Sequence, residues 1–329
     1  MRYTNHKFIS IAHSIEHMMA EWRKGMASVI LLGMSVTPLA GMSQTSIIIE
    51  PLFEYPTPPE EFEGLTERSN YLMDHFWDSF DFTRKTAVDQ NALNDAFGVF
   101  ATAMRYAEKS KVLSGIDGII KKLKGNPVLL LQFTKSAEES LFGPRADIWS
   151  DEAYLPFLKA VTSDKSISDI RSQRYRMQLD MLKRNAPGAK LPEVRLTLRN
   201  GRQMDFEPNA PLTLIEFGNP GCEDCQFARL KLEMATDVAE MIDAKEMEMV
   251  FIVADAVPEE QAELLRQFAE LPDGWTAGIC YGGDEIFDIR SNPCFYLVGA
   301  DKKIIAKNMD VTRAVAEIRK IKESDKKKR

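Results

Sequence analysis

Histidine is scarce in this chain of 329 residues, which has only four. They stand at positions 6, 13, 17 and 75, and the first three lie in an N-terminal segment that we expect to be removed. Catalysis by a Ser–His–Asp triad or a Cys–His pair needs an imidazole beside the nucleophile. The scarcity therefore nearly excludes both mechanisms, together with any histidine-rich metal site.

Basic surface is also lacking. The net charge is −7, and the one basic run is the end of the chain at residues 326–329, which we interpret as a solvated tail. No nucleic-acid partner is therefore expected. The composition, with 44% hydrophobic and 28% charged residues, is that of an ordinary soluble protein, and the length allows two domains with separate cores.

Residues 1–43 have the pattern of a signal peptide. Arg23 and Lys24 precede a short apolar run at positions 26–36, and small residues follow up to Ser43. This order is typical of a cleavable export signal, and the run is too short to span a bilayer comfortably. We predict cleavage near Ser43, export to the periplasm, where disulfides form, and no stable membrane anchor afterwards. An uncleaved anchor or a buried helix is the alternative.

A linker and an all-helical domain are predicted next. Residues 44–64 are rich in proline and glutamate, which is typical of an extended linker. Between residues 65 and 188, apolar side chains recur every three or four positions, which is the spacing of a helix face. Three such faces are Leu72, Phe76 and Phe80; Leu93, Phe97, Phe100 and Met104; and Ile116, Ile119, Ile120 and Leu123. No motif with catalytic chemistry lies in this domain.

The apolar period changes after residue 188. Apolar side chains then alternate on both sides of Asn200–Gly201, a dipeptide that favours a two-residue hairpin turn. Further along, strands and helices alternate in the order β-β-β-α-β-α-β-α-β-β-α. The sequence thus predicts an α+β protein of two domains, an all-helical domain at residues 65–188 followed by an α/β domain with a mixed central sheet at residues 189–325.

All four cysteines lie in the last third of the chain, and two of them form the motif Cys222-Glu-Asp-Cys225. The apolar run at residues 212–217 predicts a buried strand leading into this pair. The helix after the pair is predicted from one apolar face: Phe227, Leu230, Met234, Val238, Met241 and Ile242. A helix N-terminus stabilises a thiolate, which is the reactive form of cysteine. The pattern favours redox chemistry at this pair.

Two other interpretations of the Cys222–Cys225 pair stay open, namely a structural disulfide and half of a zinc site. Zinc usually needs a second Cys-x-x-Cys motif or histidines. Cys280 and Cys294 are separated by thirteen residues and lie on predicted strands, so they form a poor second motif. These two cysteines are either buried core thiols or a second disulfide. We favour redox chemistry and expect no cofactor and no bound metal.

The second domain resembles a thioredoxin fold over about residues 190–325. It is most similar to exported thiol–disulfide interchange proteins of the cytochrome-maturation type. The residues that carry the resemblance are the strand–Cys222-x-x-Cys225–helix junction and the dipeptide Asn292–Pro293 just before a predicted strand and hairpin. The helical domain resembles a domain of unassigned function that precedes such thioredoxin-like domains in exported bacterial proteins.

The resemblance implies roles for two further residues. Pro293 would have a cis peptide bond and face the cysteine pair. Glu216, six residues before Cys222, would be the buried acid that takes the proton of Cys225. The chain departs from the family at Gly221, where the family has tryptophan, and at Glu223–Asp224, where it has Gly-Pro. Two carboxylates beside a thiolate disfavour its charge, so we predict a reductant-leaning pair.

Two functions from different classes follow. The first is an exported thiol–disulfide oxidoreductase that acts on protein thiols or disulfides and depends on an upstream thiol reductant, with Cys222 as nucleophile and Cys225 as resolving thiol. In this hypothesis the helical domain selects or orients the partner. The alternative is a binding protein of the cell envelope, whose thioredoxin-like half is a scaffold with a structural disulfide. A thiol peroxidase is a third, weaker option.

Overall fold

The computed structural model describes residues 51–328, with side chains up to Ser324. The predicted signal peptide and its cleavage site lie outside these residues, so export stays a prediction. None of the helices within residues 51–328 is both long enough and apolar enough to cross a membrane.

The first half of the described chain is helical, as predicted. Six helices follow one another: α1 Leu65–His75, α2 Gln90–Met104, α3 Lys109–Leu123, α4 Pro127–Leu141, α5 Asp151–Ser163 and α6 Asp169–Arg184. Polar caps fix where several of them begin. Asp89, Asn126 and Ser150 each accept a hydrogen bond from a backbone N–H in the first turn of α2, α4 and α5, which satisfies donors that the helix itself leaves unpaired.

The helical half has its own core, which is rich in aromatic side chains. Phe76, Trp77, Phe97, Phe100 and Phe133 are all buried there. The Trp77 ring centroid lies 4.9 Å from that of Phe133 and 5.8 Å from that of Phe100. These aromatic pairs add geometric specificity to the area that they bury.

The segment from 51 to 64, predicted as part of a linker, has no helix or strand. It nevertheless packs on the helical core. The Phe53 ring centroid lies 5.3 Å from that of Trp77, and the Tyr55 ring lies 4.9 Å from that of Phe76. This stretch therefore covers the core of the helical half. The exact domain boundaries stay a prediction.

The second half contains a seven-stranded sheet and five helices. The strands are β1 Arg195–Leu198, β2 Gln203–Asp205, β3 Leu212–Phe217, β4 Met247–Val253, β5 Thr276–Ile279, β6 Cys294–Gly299 and β7 Ile304–Met309. The helices are α7 Glu223–Glu233, α8 Thr236–Asp243, α9 Gln261–Gln267, α10 Gly283–Ile286 and α11 Val311–Lys328. Short 3-10 turns at Pro258–Glu260 and Phe268–Glu270 flank α9.

The sheet is mixed, as predicted, with the strand order β2-β1-β5-β4-β3-β6-β7. Strands β3, β4 and β5 run parallel to one another, whereas β6 pairs antiparallel with β3. Every residue of β3 is buried, because helices cover both faces of a sheet of this kind. In the β3 register, Glu216 lies opposite Phe251 on β4 and Phe295 on β6.

The helix predicted after the cysteine pair differs in one respect. The structure breaks it between α7 and α8, at Met234 and Ala235, so that one continuous apolar face cannot form. Val238 and Met241 on α8 are buried as expected. On α7 and at the break the predicted face is wrong, because Phe227, Leu230 and Met234 are exposed by 59%, 52% and 73%. The core side of α7 is formed instead by Cys225, Ala228, Arg229 and Leu232.

Candidate functional site

Cys222 caps the N-terminus of α7, directly beyond the end of β3. Its backbone N–H donates to the carbonyl of Asn219 at 3.1 Å, and the Gly221 N–H donates to the Asn219 side chain at 3.0 Å. These bonds shape the turn between strand and helix. The Cys222 Sγ accepts the backbone N–H of Cys225 at 3.4 Å, so the first sulfur lies where the helix offers unpaired donors and a partial positive charge.

The two thiols of the pair differ in exposure. Cys222 is half-buried, whereas Cys225 is fully buried, and both are free thiols. Burial, followed by a hydrogen bond with the Cys222 thiol, raises the pKa of Cys225 to about 12. Cys225 therefore keeps its proton in neutral solution until a base removes it, while Cys222 is the sulfur that an external partner can reach.

The dipeptide Asn292–Pro293 lies against this pair. Its peptide bond is cis, as predicted. The Cys225 thiol donates a hydrogen bond to the Asn292 side-chain oxygen at 3.0 Å. The structure thus brings together, at the ends of β3 and β6, three of the residues singled out in the sequence: Cys222, Cys225 and the dipeptide that contains Pro293.

Gly218, the residue just after β3, allows the Cys225 sulfur to approach the sheet. A Cβ at this position would lie 3.0 Å from the Cys225 Sγ and 3.4 Å from the Phe251 ring. Ordinary van der Waals contacts between such atoms are longer, so any side chain here would press on the buried sulfur.

Glu216, the predicted buried acid, is fully buried on β3. Neither of its carboxylate oxygens has a hydrogen-bond partner. Burial raises its pKa from the ordinary value of 4.5 to about 8, and the charge of Arg229 partly opposes this rise. The Glu216 charge in turn contributes to the raised pKa of Cys225, so the carboxyl group acts electrostatically on the Cys225 thiol.

Arg229 is a component of the candidate site that the sequence pattern does not predict. This side chain on α7 is buried, and its Nη1 lies 3.9 Å from the Glu216 Oε1. Its Nη2 donates to the Pro220 carbonyl at 3.1 Å, and the guanidinium lies 5.4 Å from the centroid of the Phe251 ring. The available signal was its position four residues after Cys225, on the same face of α7.

The other two cysteines lie apart from each other. Both are buried, and β4 and β3 separate the strand before Cys280 from the strand that begins at Cys294. Three strand spacings amount to about 14 Å, whereas a disulfide needs Cα atoms within about 7 Å. The second disulfide left open by the sequence is therefore not formed, and the structure has two core thiols instead. Burial raises the pKa of Cys294 to about 12.

Within residues 51–328, no three histidine, cysteine or carboxylate side chains lie together as potential ligands for a metal ion. The site is thus built from the two sulfurs, one amide, one buried carboxyl group and one buried guanidinium. Such a set can exchange disulfide bonds and move a proton.

The second half of the chain has a thioredoxin-like fold. A solved thioredoxin-like protein from Bacteroides caccae superimposes with a TM-score of 0.65 at 20% sequence identity, covering 81% of this chain and 98% of that one. This coverage exceeds the sheet-containing half, so the likeness in fold extends into the helices. Residues 32–185 match the family model described as a domain of unknown function, DUF5106, so a DUF5106 region precedes the thioredoxin-like domain.

Two shorter solved structures also match. One is the thioredoxin domain of a thiol-disulfide oxidoreductase from Bacteroides vulgatus, with 18% identity, a TM-score of 0.35, and coverage of 41% of this chain and 97% of that one. The other is a domain of a possible thiol-disulfide isomerase from Cytophaga hutchinsonii, with 22% identity, a TM-score of 0.34, and coverage of 44% and 99%. No curated protein matches the chain significantly.

Proposed function

We propose that this chain is an exported thiol–disulfide oxidoreductase that exchanges disulfides with protein substrates through Cys222 and Cys225. The observation that carries the proposal is the difference between the two sulfurs. Cys222 is accessible at the N-terminus of α7, whereas Cys225 is buried three residues later with its thiol bonded to Asn292. One thiol can meet a partner, and the other can act only within the protein.

In the first step, the Cys222 thiolate attacks a disulfide of the substrate. A bond forms between the Cys222 Sγ and one substrate sulfur while the substrate S–S bond breaks, and the released substrate thiolate takes a proton from water. The product is a mixed disulfide between protein and substrate. The N-terminus of α7 favours the attacking thiolate.

In the second step, Cys225 resolves the mixed disulfide. Its proton passes to ionised Glu216, and its sulfur attacks the Cys222 Sγ. The bond from Cys222 to the substrate then breaks, and the second substrate sulfur leaves as a thiolate that takes a proton from water. Two electrons have then moved from the cysteine pair to the substrate. An upstream thiol reductant restores the pair: its thiolate attacks the Cys222 Sγ and breaks the Cys222–Cys225 bond, and a second reductant thiolate then releases Cys222, so that the reductant ends as a disulfide.

The loop at Asn292–Pro293 supplies the remaining element. Because it lies against the pair, its backbone can pair with an extended substrate strand beside Cys222, in the manner of strand addition. The signal-like pattern of residues 1–43 supports export, and export fits an enzyme that handles disulfides.

The test is the reduction of insulin by dithiothreitol, with wild type, Cys222→Ser and the control variant Cys280→Ala. Catalysis that is lost in Cys222→Ser and kept in Cys280→Ala supports the proposal. Equal rates for wild type and Cys222→Ser would favour the alternative, a binding protein with a non-catalytic disulfide. Expressing Cys225→Ser in the envelope then identifies substrates, because they remain attached to Cys222 as mixed disulfides.

A further inference from the structure

Polar contacts from the helical half converge on one segment of the thioredoxin-like half, residues 285–290. The Arg184 Nη2 donates to the Glu285 carbonyl at 3.0 Å, and the Asn185 side chain donates to the Ile286 carbonyl at 3.0 Å. This segment leads directly into Asn292–Pro293. The helical half therefore touches the stretch of backbone that delivers the loop to the cysteine pair.

The strongest of these contacts is ionic. The Arg290 Nη2 donates to the Asp151 Oδ1 at 2.5 Å, and the Lys307 Nζ lies 2.8 Å from the Asp151 Oδ2. Asp151 is the first residue of α5, in the helical half, whereas Lys307 belongs to β7. One carboxylate thus joins two cations of the thioredoxin-like half.

Asp288 completes the group. It accepts two hydrogen bonds from Arg290, at 2.9 and 2.7 Å, and it also pairs with Lys307. The side chains of Asp288, Arg290 and Lys307 are all buried. Burial would raise the pKa of Asp288, but the hydrogen bonds and charges of Arg290 and Lys307 hold it below its ordinary value.

The formal charges of this group balance only when Asp151 is included. Asp288 offsets one of the two cations, and Asp151 offsets the other. A buried ion without its partner is strongly unfavourable, so the thioredoxin-like half relies on a carboxylate from the helical half. The Phe142 ring, also from the helical half, lies 4.4 Å from the Arg290 guanidinium and holds that side chain from a second direction.

Arg290 is two residues before Asn292, whose side-chain oxygen accepts a hydrogen bond from the Cys225 thiol. We propose that Asp151 is a positioning residue, which fixes the Asn292–Pro293 loop beside the cysteine pair by holding Arg290. The helical half is then part of the redox site's framework. The effect of Asp151 on insulin reduction rests on the proposed function, whereas its effect on hydrogen exchange of the loop does not.

The test compares Asp151→Asn with Glu152→Gln. Both substitutions remove one carboxylate charge from the first turn of α5 and keep the shape of the side chain. Glu152, however, is exposed and pairs at 2.8 Å with Lys109 of the helical half. Hydrogen exchange of the backbone amides is measured for residues 286–294 and for β4, together with insulin reduction and alkylation of Cys222 by iodoacetamide.

We expect the backbone amides of residues 286–294 to exchange roughly tenfold faster in Asp151→Asn than in wild type, and those of β4 to exchange at the same rate. A roughly tenfold change is within the range of coupling energies measured between contacting residues. Insulin reduction should fall by a similar factor, while alkylation of Cys222, which does not use the loop, stays as in Glu152→Gln. Equal exchange in the two variants would overturn the inference. Faster exchange spread evenly over β4 would also overturn it, because that result means general destabilisation.

Two outcomes need a further comparison: an Asp151→Asn variant that does not fold, and a wild-type protein that does not reduce insulin. If Asp151→Asn does not fold, the double variant Asp151→Asn/Lys307→Met restores the charge balance, and wild-type exchange in residues 286–294 of that variant would refute the positioning role. If wild type does not reduce insulin, the proposed function fails, and the exchange comparison still decides whether Asp151 holds the loop.

Discussion

The Arg229 Nη1 lies 3.9 Å from the Glu216 Oε1, and both side chains are buried behind the cysteine pair. Neither that nitrogen nor either oxygen of Glu216 has a hydrogen-bond partner. Only the Arg229 charge, without a hydrogen bond, stabilises the ionised carboxyl group, so burial raises the pKa of Glu216 to about 8. A group held in this way can take up and release a proton near neutral pH.

The first prediction concerns stability against pH. Glu216 ionises near 4.5 when exposed and near 8 in the folded protein. Between these values the folded state holds a proton that the unfolded chain has lost, so the free energy of unfolding falls as the pH rises. At about 1.4 kcal/mol per pH unit, this cost reaches at most about 5 kcal/mol above pH 8.

Glu216→Gln removes that cost. We expect the variant to be several kcal/mol more stable than wild type at pH 9, relative to their difference at pH 4. Urea unfolding of the reduced proteins at pH 4, 6 and 9 measures it. A stability difference that stays constant with pH would show that Glu216 does not titrate as described.

The second prediction concerns Arg229 and the pH dependence of resolution. The proton of Cys225 can pass to Glu216 only when Glu216 is ionised, so the rate of the second step should rise with pH around 8. Arg229→Met removes a positive charge that lowers the Glu216 pKa. The midpoint of the rate–pH profile should therefore move to a pH about one unit higher.

Single-turnover release of a mixed-disulfide peptide from Cys222, followed between pH 6 and 10, gives this profile. Lys231→Met serves as the control, because Lys231 is an exposed cation on the same helix, bonded to Thr312. Identical midpoints for Arg229→Met and wild type would argue against the Glu216–Arg229 pair as the proton acceptor.

The third prediction concerns Gly218. The added methyl group of Gly218→Ala would press on the Cys225 sulfur and the Phe251 ring. We expect a loss of about 1–3 kcal/mol of stability, as for other overpacked cores, and a slower second step. Gly274→Ala is the control, because a Cβ there meets no atom within 4 Å. Urea unfolding and single-turnover kinetics decide, and equal behaviour of the two variants would contradict the close approach.

The fourth prediction concerns the reduction potential. Glu223 and Asp224 lie in the first turn of α7, beside Cys222, and their carboxylates disfavour a thiolate there. We expect a potential nearer to that of thioredoxin, about −270 mV, than to that of the strong periplasmic oxidants, about −120 mV. Neutralising both in Glu223→Gln/Asp224→Asn should favour the reduced form and raise the potential by about 30 mV, a tenfold change.

Equilibration with glutathione buffers measures these potentials, and Glu233→Gln, at the far end of α7, is the matched control. A wild-type value near that of the strong periplasmic oxidants would refute the reductant-leaning character. An unchanged or lower potential in the double variant would mean that the two carboxylates act mainly on the helix dipole.

Much of the fold could be predicted from local pattern. Alternating, continuous and periodic apolar residues located every strand and most helices, because each element must bury at least one face. The candidate site was found through the Cys222–Cys225 spacing and the Asn292–Pro293 step. The apolar face of α7 was assigned wrongly, since Met234 and Ala235 break the helix and the two pieces need not share a phase.

Contacts between distant parts of the chain were not predictable in this way. Nothing in the sequence around Arg229 distinguishes it from a surface arginine, and only the tertiary structure shows that it lies beside Glu216 of β3. Asp151 has the sequence pattern of an ordinary first-turn acid after the Ser150 cap, and only the tertiary structure reveals Arg290 and Lys307 as its partners. Such ion pairs depend on packing geometry, which one sequence does not reveal.

The aromatic side chains of the segment before α1 bear on how the helical half should be produced in isolation. A truncated version beginning at Leu65 would lack Phe53 and Tyr55, and the rings of Phe76 and Trp77 that they cover would face water. Exposed hydrophobic patches of this kind promote self-association. Recombinant fragments meant for crystallisation or partner screening should therefore start upstream of Leu52.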